Sequence, residues 1–163
     1  MERIDFEAAK PLFEMVLQFS SDSSLGLKET RADVLFALSA LSAQTNEDID
    51  KNLQYAQSHF DYRVELRDGS QFGEDRMAMA HAELAHIQML AGKYDDAIQN
   101  ARVAIEMTEK SPAYLRGDDW PTFSCTHMAF ALAAQGRYDE AMVPLRRSLD
   151  YWMSRAHDTH LFQ

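Results

Sequence analysis

The stretch "HAELAHIQMLAGKYDDAIQNARVAIE", residues 81–106, decides how this chain is read. Its first half sets His81, Glu83 and His86 close together, as a metallohydrolase helix would. Its second half runs from small apolar residues through Gly92 into a tyrosine, two aspartates and a second run of alanines. That second half recurs. "AGKYDDAIQNARVAIE" and "QGRYDEAMVPLRRSLD" superpose without a gap at an offset of 44, placing Gly92 on Gly136, Tyr94 on Tyr138, Ala97 on Ala141 and Ile105 on Leu149.

Two more distant copies lie upstream. "NEDIDKNLQYAQSHFD" puts Ile49 at the tyrosine position, Ala56 opposite Ala101 and Phe60 opposite Ile105. "RIDFEAAKPLFEMVL" puts Phe6 there, with Ala9 opposite Ala97 and Leu17 opposite Ile105. The anchors Phe6, Ile49, Tyr94 and Tyr138 are therefore separated by steps of 43, 45 and 44. A near-constant period of this size indicates stacked supersecondary units.

Each unit reads as a pair of helices. Met77–Ala91 and Thr122–Gln135 are rich in alanine, leucine and methionine, and each ends at a glycine suited to a left-handed helix cap. Acidic residues follow within three positions, where they meet the positive end of the next helix dipole. In that next helix Tyr94, Ala97, Ala101, Ala104 and Ile105 form one apolar stripe, and its small alanines allow a close helix approach. "ELRDGSQFGED" and "AYLRGDDWPTF" join the units, and Pro121 suits the first turn of a helix. "RADVLFALSALSAQTN" is also helical, with Asn46 in place of the glycine, but its register against the other first helices stays open. The reading is all-α and single-domain over residues 1–163: a lone helix over 5–20, then helix pairs over 28–68, 72–111 and 118–156, seven helices in all.

With this pattern in hand the chain resembles tetratricopeptide repeats. The small residues Ala85 and Ala129, the Gly-x-Tyr turn, and Ala97 and Ala104 match the family's recurrent positions. The long period, "QGRYDEA" and "FEAAKPLFEMVL" resemble the kinesin-light-chain subtype. The likeness is closest over residues 77–153, less close over 5–18 and least over 28–62; Gln88, Ala101 and Leu132 stand where the family often has aromatics. The resemblance implies a right-handed α-solenoid whose first helices line a concave groove, and it implies binding of a peptide or partner protein without chemistry.

The residues themselves give little support to catalysis. A helical zinc pair needs histidines four apart with an adjoining glutamate, whereas His81 and His86 are five apart, roughly 140° around a helix. "HAE" lacks the downstream Pro-Cys-x-x-Cys of zinc deaminases. His157, Asp158 and His160 read as a frayed tail. No phosphate-cradling glycine loop or Gly-x-Ser-x-Gly elbow occurs, so no catalytic residue, metal or cofactor is expected. Cys125, the single cysteine, sits among apolar residues as a small buried hydrophobe and fits a reducing, cytoplasmic setting.

With 16 Lys and Arg against 26 Asp and Glu, the net charge of −10 disfavours nucleic acid and anionic membranes as partners. The start lacks the basic and apolar regions of a signal peptide, and no apolar run is long enough to span a bilayer. A protein or peptide is the expected partner. Helical spacing nominates Met79, Glu83, His86 and Met89, then Phe123, His127, Phe130 and Ala133, as the groove-facing positions. The groove is expected to be mildly acidic and to favour basic or apolar segments. Leu12, Phe13, Val16 and Leu17 at one end, and Trp152 and Met153 at the other, lack the neighbours a solenoid would supply. They suggest a segment of a longer repeat protein, with homo-oligomerisation through the ends as the alternative. A peptide or small-molecule sensor built on the same groove is a third reading.

Overall fold

The computed structural model describes residues 6–19, 25–45, 48–111 and 120–159, with side chains over 8–18, 27–44, 48–111 and 122–153. These residues form seven α-helices and no strand: α1 (Phe6–Phe19), α2 (Leu25–Thr45), α3 (Ile49–Glu65), α4 (Gln71–Leu90), α5 (Tyr94–Glu109), α6 (Trp120–Ala134) and α7 (Tyr138–Thr159). The helices α1, α3, α5 and α7 begin at Phe6, Ile49, Tyr94 and Tyr138, the four anchors of the repeat. Among the described residues no helix is long and apolar enough to cross a membrane.

The turn chemistry explains the period. Gly92 and Gly136 adopt φ of +74° and +76°, which a side chain would strain. In each turn the two N–H groups that follow the helix fold back onto its last carbonyls. Lys93 N donates to Gln88 O (2.8 Å) and Gly92 N to Met89 O (3.1 Å); 44 residues on, Arg137 N donates to Leu132 O (3.0 Å) and Gly136 N to Ala133 O (2.9 Å). This double bond pattern satisfies carbonyls that a helix end leaves orphaned and fixes the angle at which the next helix leaves. Asn46 lies outside the described residues. Elsewhere side chains mark the starts: Asp48 accepts from Asp50 N (3.0 Å) and Ser70 Oγ from Gly73 N (3.1 Å).

Each helix packs on the next in sequence, and the first helices of successive pairs also meet, α2 on α4 and α4 on α6. The core follows the alanine stripe. Ala97, Ile98, Ala131, Leu132 and Ala141 form one buried cluster joining α5, α6 and α7, flanked by Met89, Tyr94, Met128 and Ala133. A second cluster of Ala56, Leu84 and Ile87 joins α3 to α4 and is flanked by Ala43, Ile49, Leu53 and Phe60. Cys125 is buried, and burial pushes its thiol pKa up.

Beside this apolar cluster, the join between the first pair and α4 carries an ionic network. Arg63 of α3 is buried; its guanidinium donates to Glu29 (2.6 Å) and to Asp33 of α2, and Arg76 of α4 donates to the same Asp33 oxygen (2.6 Å). Arg63 Nε also donates to His59 Nε2 at 3.2 Å. Burial, and then the Arg63 cation, hold the His59 imidazole down at a pKa of about 4.

Candidate functional site: the face of the first helices

The first helices carry residues that the 44-residue offset places in one register: Ser39 of α2, Glu83 of α4 and His127 of α6. Because α2, α4 and α6 lie side by side, the register becomes a row across the stack. The spacing argument set Glu83 on the open face, but the structure places it inside, 7% exposed, with Oε1 accepting from Ser39 Oγ at 2.8 Å. The facing hydroxyl draws it inward. Asn52 completes the chain: with its amide nitrogen turned toward α2 it donates to Ser39 O (3.0 Å) and lies 3.2 Å from Ser39 Oγ. Burial raises the Glu83 pKa and its hydrogen bond with Ser39 offsets part of that, so the carboxyl adds less acidity to this face than the sequence suggested.

The next seam is built differently. The rings of His86 and His127 stack in parallel, 4.4 Å between centroids and 6° between planes. Both are half-buried. Burial pushes both imidazole pKa values down, that of His127 to about 4 with the neighbouring His86 adding to the effect. A neutral stacked pair is the state this geometry supports, since two imidazolium rings at that separation would repel. His127 Nδ1 is buried and finds no hydrogen-bond partner among the described residues.

Beside this pair, Phe123 and Phe130 stand 47% and 60% exposed, seven residues apart on α6. Met79 is half-buried, as is Ala133. Met89 packs against the buried α5–α6–α7 cluster instead of standing in an open groove, because the alanines there leave room for a long flexible side chain. The structure thus brings His86, His127 and Phe130 to one stretch of surface, withdraws Glu83, and folds Met89 into the core's edge. Of the residues nominated at the ends, Leu12, Val16, Trp152 and Met153 are exposed and Phe13 is half-buried.

The histidines of the opening stretch face different neighbours. His81 Nδ1 donates to Asn100 Oδ1 at 2.8 Å and its ring meets Phe60 edge-on, 4.8 Å between centroids, whereas His86 faces His127. Asn100 Nδ2 in turn donates to Gln88 Oε1 at 2.9 Å, so His81 is tied into the α4–α5 seam. Among the described residues no three His, Cys, Asp or Glu side chains gather closely enough to hold a metal ion. The side chains of His157, Asp158 and His160 lie outside those described.

Two features escape helical spacing. A cavity of about 520 Å³ opens between α3, α4 and α5, lined by Asp50, Gln54, Gln57, Gln88, Lys93 and Asp96. Its walls come from three helices, and only the register between them brings those residues together. The second is the breadth of the bare apolar face on α7, where Met142, Leu145 and Leu149 join Trp152 and Met153. Carrying the stripe of α5 forward by 44 residues would have found Leu145 and Leu149 of this face but not Met142, Trp152 or Met153. Compared with protein-family models and with the curated proteins, the chain matches none.

Proposed function

We propose that this chain is a non-catalytic protein-interaction module of the tetratricopeptide type, a right-handed solenoid that binds an apolar peptide segment of a partner across its first helices. The observation that carries this reading is the pair of exposed aromatics, Phe123 and Phe130, flanking the stacked His86–His127 seam. Exposed aromatics grouped on a rigid helix are costly to leave in water and are the residue type that anchors peptides in pockets. Withdrawal of Glu83 favours an apolar segment over a basic one. A reducing cytoplasmic setting belongs to the same reading, supported by the single, buried Cys125.

The test is selection of a displayed peptide library on the chain, followed by calorimetry of the enriched peptides with Phe130→Glu. The expected result is enrichment of peptides with apolar anchors and a loss of affinity of at least about tenfold in the variant. Phe130 is mostly solvent-exposed, so the variant should keep the helical circular dichroism of the parent. Failure to enrich any peptide, or unchanged affinity in the folded variant, would remove this reading.

A further inference from the structure

The helices α5 and α7 are copies of one element, yet among the described residues only α5 is covered on this face. On α5 the positions Ile98, Ala101, Ile105 and Thr108 are 7%, 0%, 7% and 7% exposed, and α6 packs on this helix. Their equivalents 44 residues later, Met142, Leu145, Leu149 and Trp152, are 53%, 44%, 56% and 42% exposed. A helix face that stayed in water would favour polar residues at these positions. Here all four are large and apolar, and two are bulkier than the residues they replace. Met153 extends the face, and Phe123 meets Trp152 edge-on, 6.2 Å between centroids. The patch amounts to roughly 500 Å² per molecule, at the upper end of what monomers leave bare, and two such faces would bury about 1,000 Å², the size of a weak, reversible interface.

We propose that a second copy of this chain covers the face, with the two α7 helices packed antiparallel about a two-fold axis near Arg147 and Ser148. The face is self-complementary in that arrangement. Met142 falls opposite the partner copy's Met153, and Leu145 opposite its Leu149, because these positions are evenly disposed about the axis. One edge carries Arg146 and Asp150, both exposed. The two-fold keeps that edge on the same side in both copies, so Arg146 of each meets Asp150 of the other at the rim. An arrangement of this kind closes at two molecules, whereas α7 against the bare Leu12 and Val16 of α1 would be head-to-tail and keep growing. Phe123 belongs both to this face and to the peptide-binding reading, so the two are tested separately, at Leu149 and at Phe130.

The experiment is sedimentation velocity over a dilution series on the chain and four variants. The parent is expected to be a reversible dimer. Leu149→Glu, which replaces a half-exposed residue and should leave the fold intact by circular dichroism, is expected to weaken dimerisation roughly hundredfold because it acts twice per interface. Arg146→Asp should weaken it at least about tenfold by setting acid against acid, and Arg146→Asp with Asp150→Arg should restore it. Rescue by the reciprocal swap is the signature of a self-paired edge that a foreign helix would not give. Leu12→Glu should change nothing. A parent that stays monomeric at the highest concentration, open-ended growth, or a dimer lost in Leu12→Glu and kept in Leu149→Glu would each overturn the proposal.

Discussion

The α2–α4 and α4–α6 seams occupy equivalent places in the repeat, and their polar contacts differ in kind. At the first, Ser39, Asn52 and Glu83 form a buried hydrogen-bonded chain, and Arg63 with Glu29, Asp33 and Arg76 ties α3 to both first helices. At the second, the rings of His86 and His127 stack, and Met89 of α4 packs against the buried α5–α6–α7 cluster. One joint thus relies on directional polar bonds and the other on stacked rings and close packing. Polar bonds demand particular partners and tolerate bulk; close packing demands small volumes and tolerates exchange among apolar residues.

Acid should expose both joints at once, and it carries the largest expected effect. His59 and His127 have folded pKa values of about 4 against 6.5 for the free side chain. Between pH 6.5 and 4 the unfolded chain therefore binds more protons than the folded one, and stability falls as pH falls through that window. Each histidine contributes up to about 3 kcal/mol to the loss. Denaturant titrations at stepped pH should show it, with His127→Phe removing the share that belongs to His127. A flat profile across the window would mean that neither ring is held neutral by the fold.

Next in size is the packed joint. Leu132→Ala removes a side chain 2% exposed at the centre of the α5–α6–α7 cluster and should cost about 3 kcal/mol, read from the midpoint of urea unfolding. A cost below about 1 kcal/mol would mean that the alanines around it collapse into the gap, and that this seam is less tightly determined than it looks.

The ionic joint should yield the smallest change. Arg63→Ala strips the shared cation from two half-exposed carboxylates and should cost about 2 kcal/mol, less than breaking a fully buried pair. It should also relax the acid sensitivity of His59, whose pKa is held down partly by Arg63, while leaving that of His127 untouched. If the variant changes both histidines alike, the two seams are coupled through α4 and are not separate joints.

This contrast explains which parts of the molecule the sequence made legible. Glycine caps and a Tyr-Asp start recur at Gly92 and Gly136, so both turns and the helix starts at Tyr94 and Tyr138 follow from a gapless self-match. The first pair has Asn52 and His59 where the next unit has Ala97 and Ala104, and Ser39 and Arg63 where it has Glu83 and Thr108, which hides the repeat over residues 28–62. Of the nominated surface, Phe123 and Phe130 are placed in the open by the spacing along α6 alone. Glu83 is not, because its direction depends on a hydroxyl contributed from another helix 44 residues earlier. Met89 fails in the same way: its fate is set by the volume that alanines on two other helices leave free. Periodicity within a helix reports which residues share a face, and only the partner helix decides whether that face is occupied.

The matched turns at Gly92 and Gly136 carry one more consequence. Since both release the chain with the same bonds and the same positive φ, the segment between them behaves as an interchangeable module. Duplicating residues 93–136 after Gly136 would lengthen the stack by one helix pair, and the inserted α6 would land on a face already shaped to receive it. Chain length, in such a design, becomes an adjustable property, and growth by whole units is the evolutionary change this architecture absorbs with least disturbance.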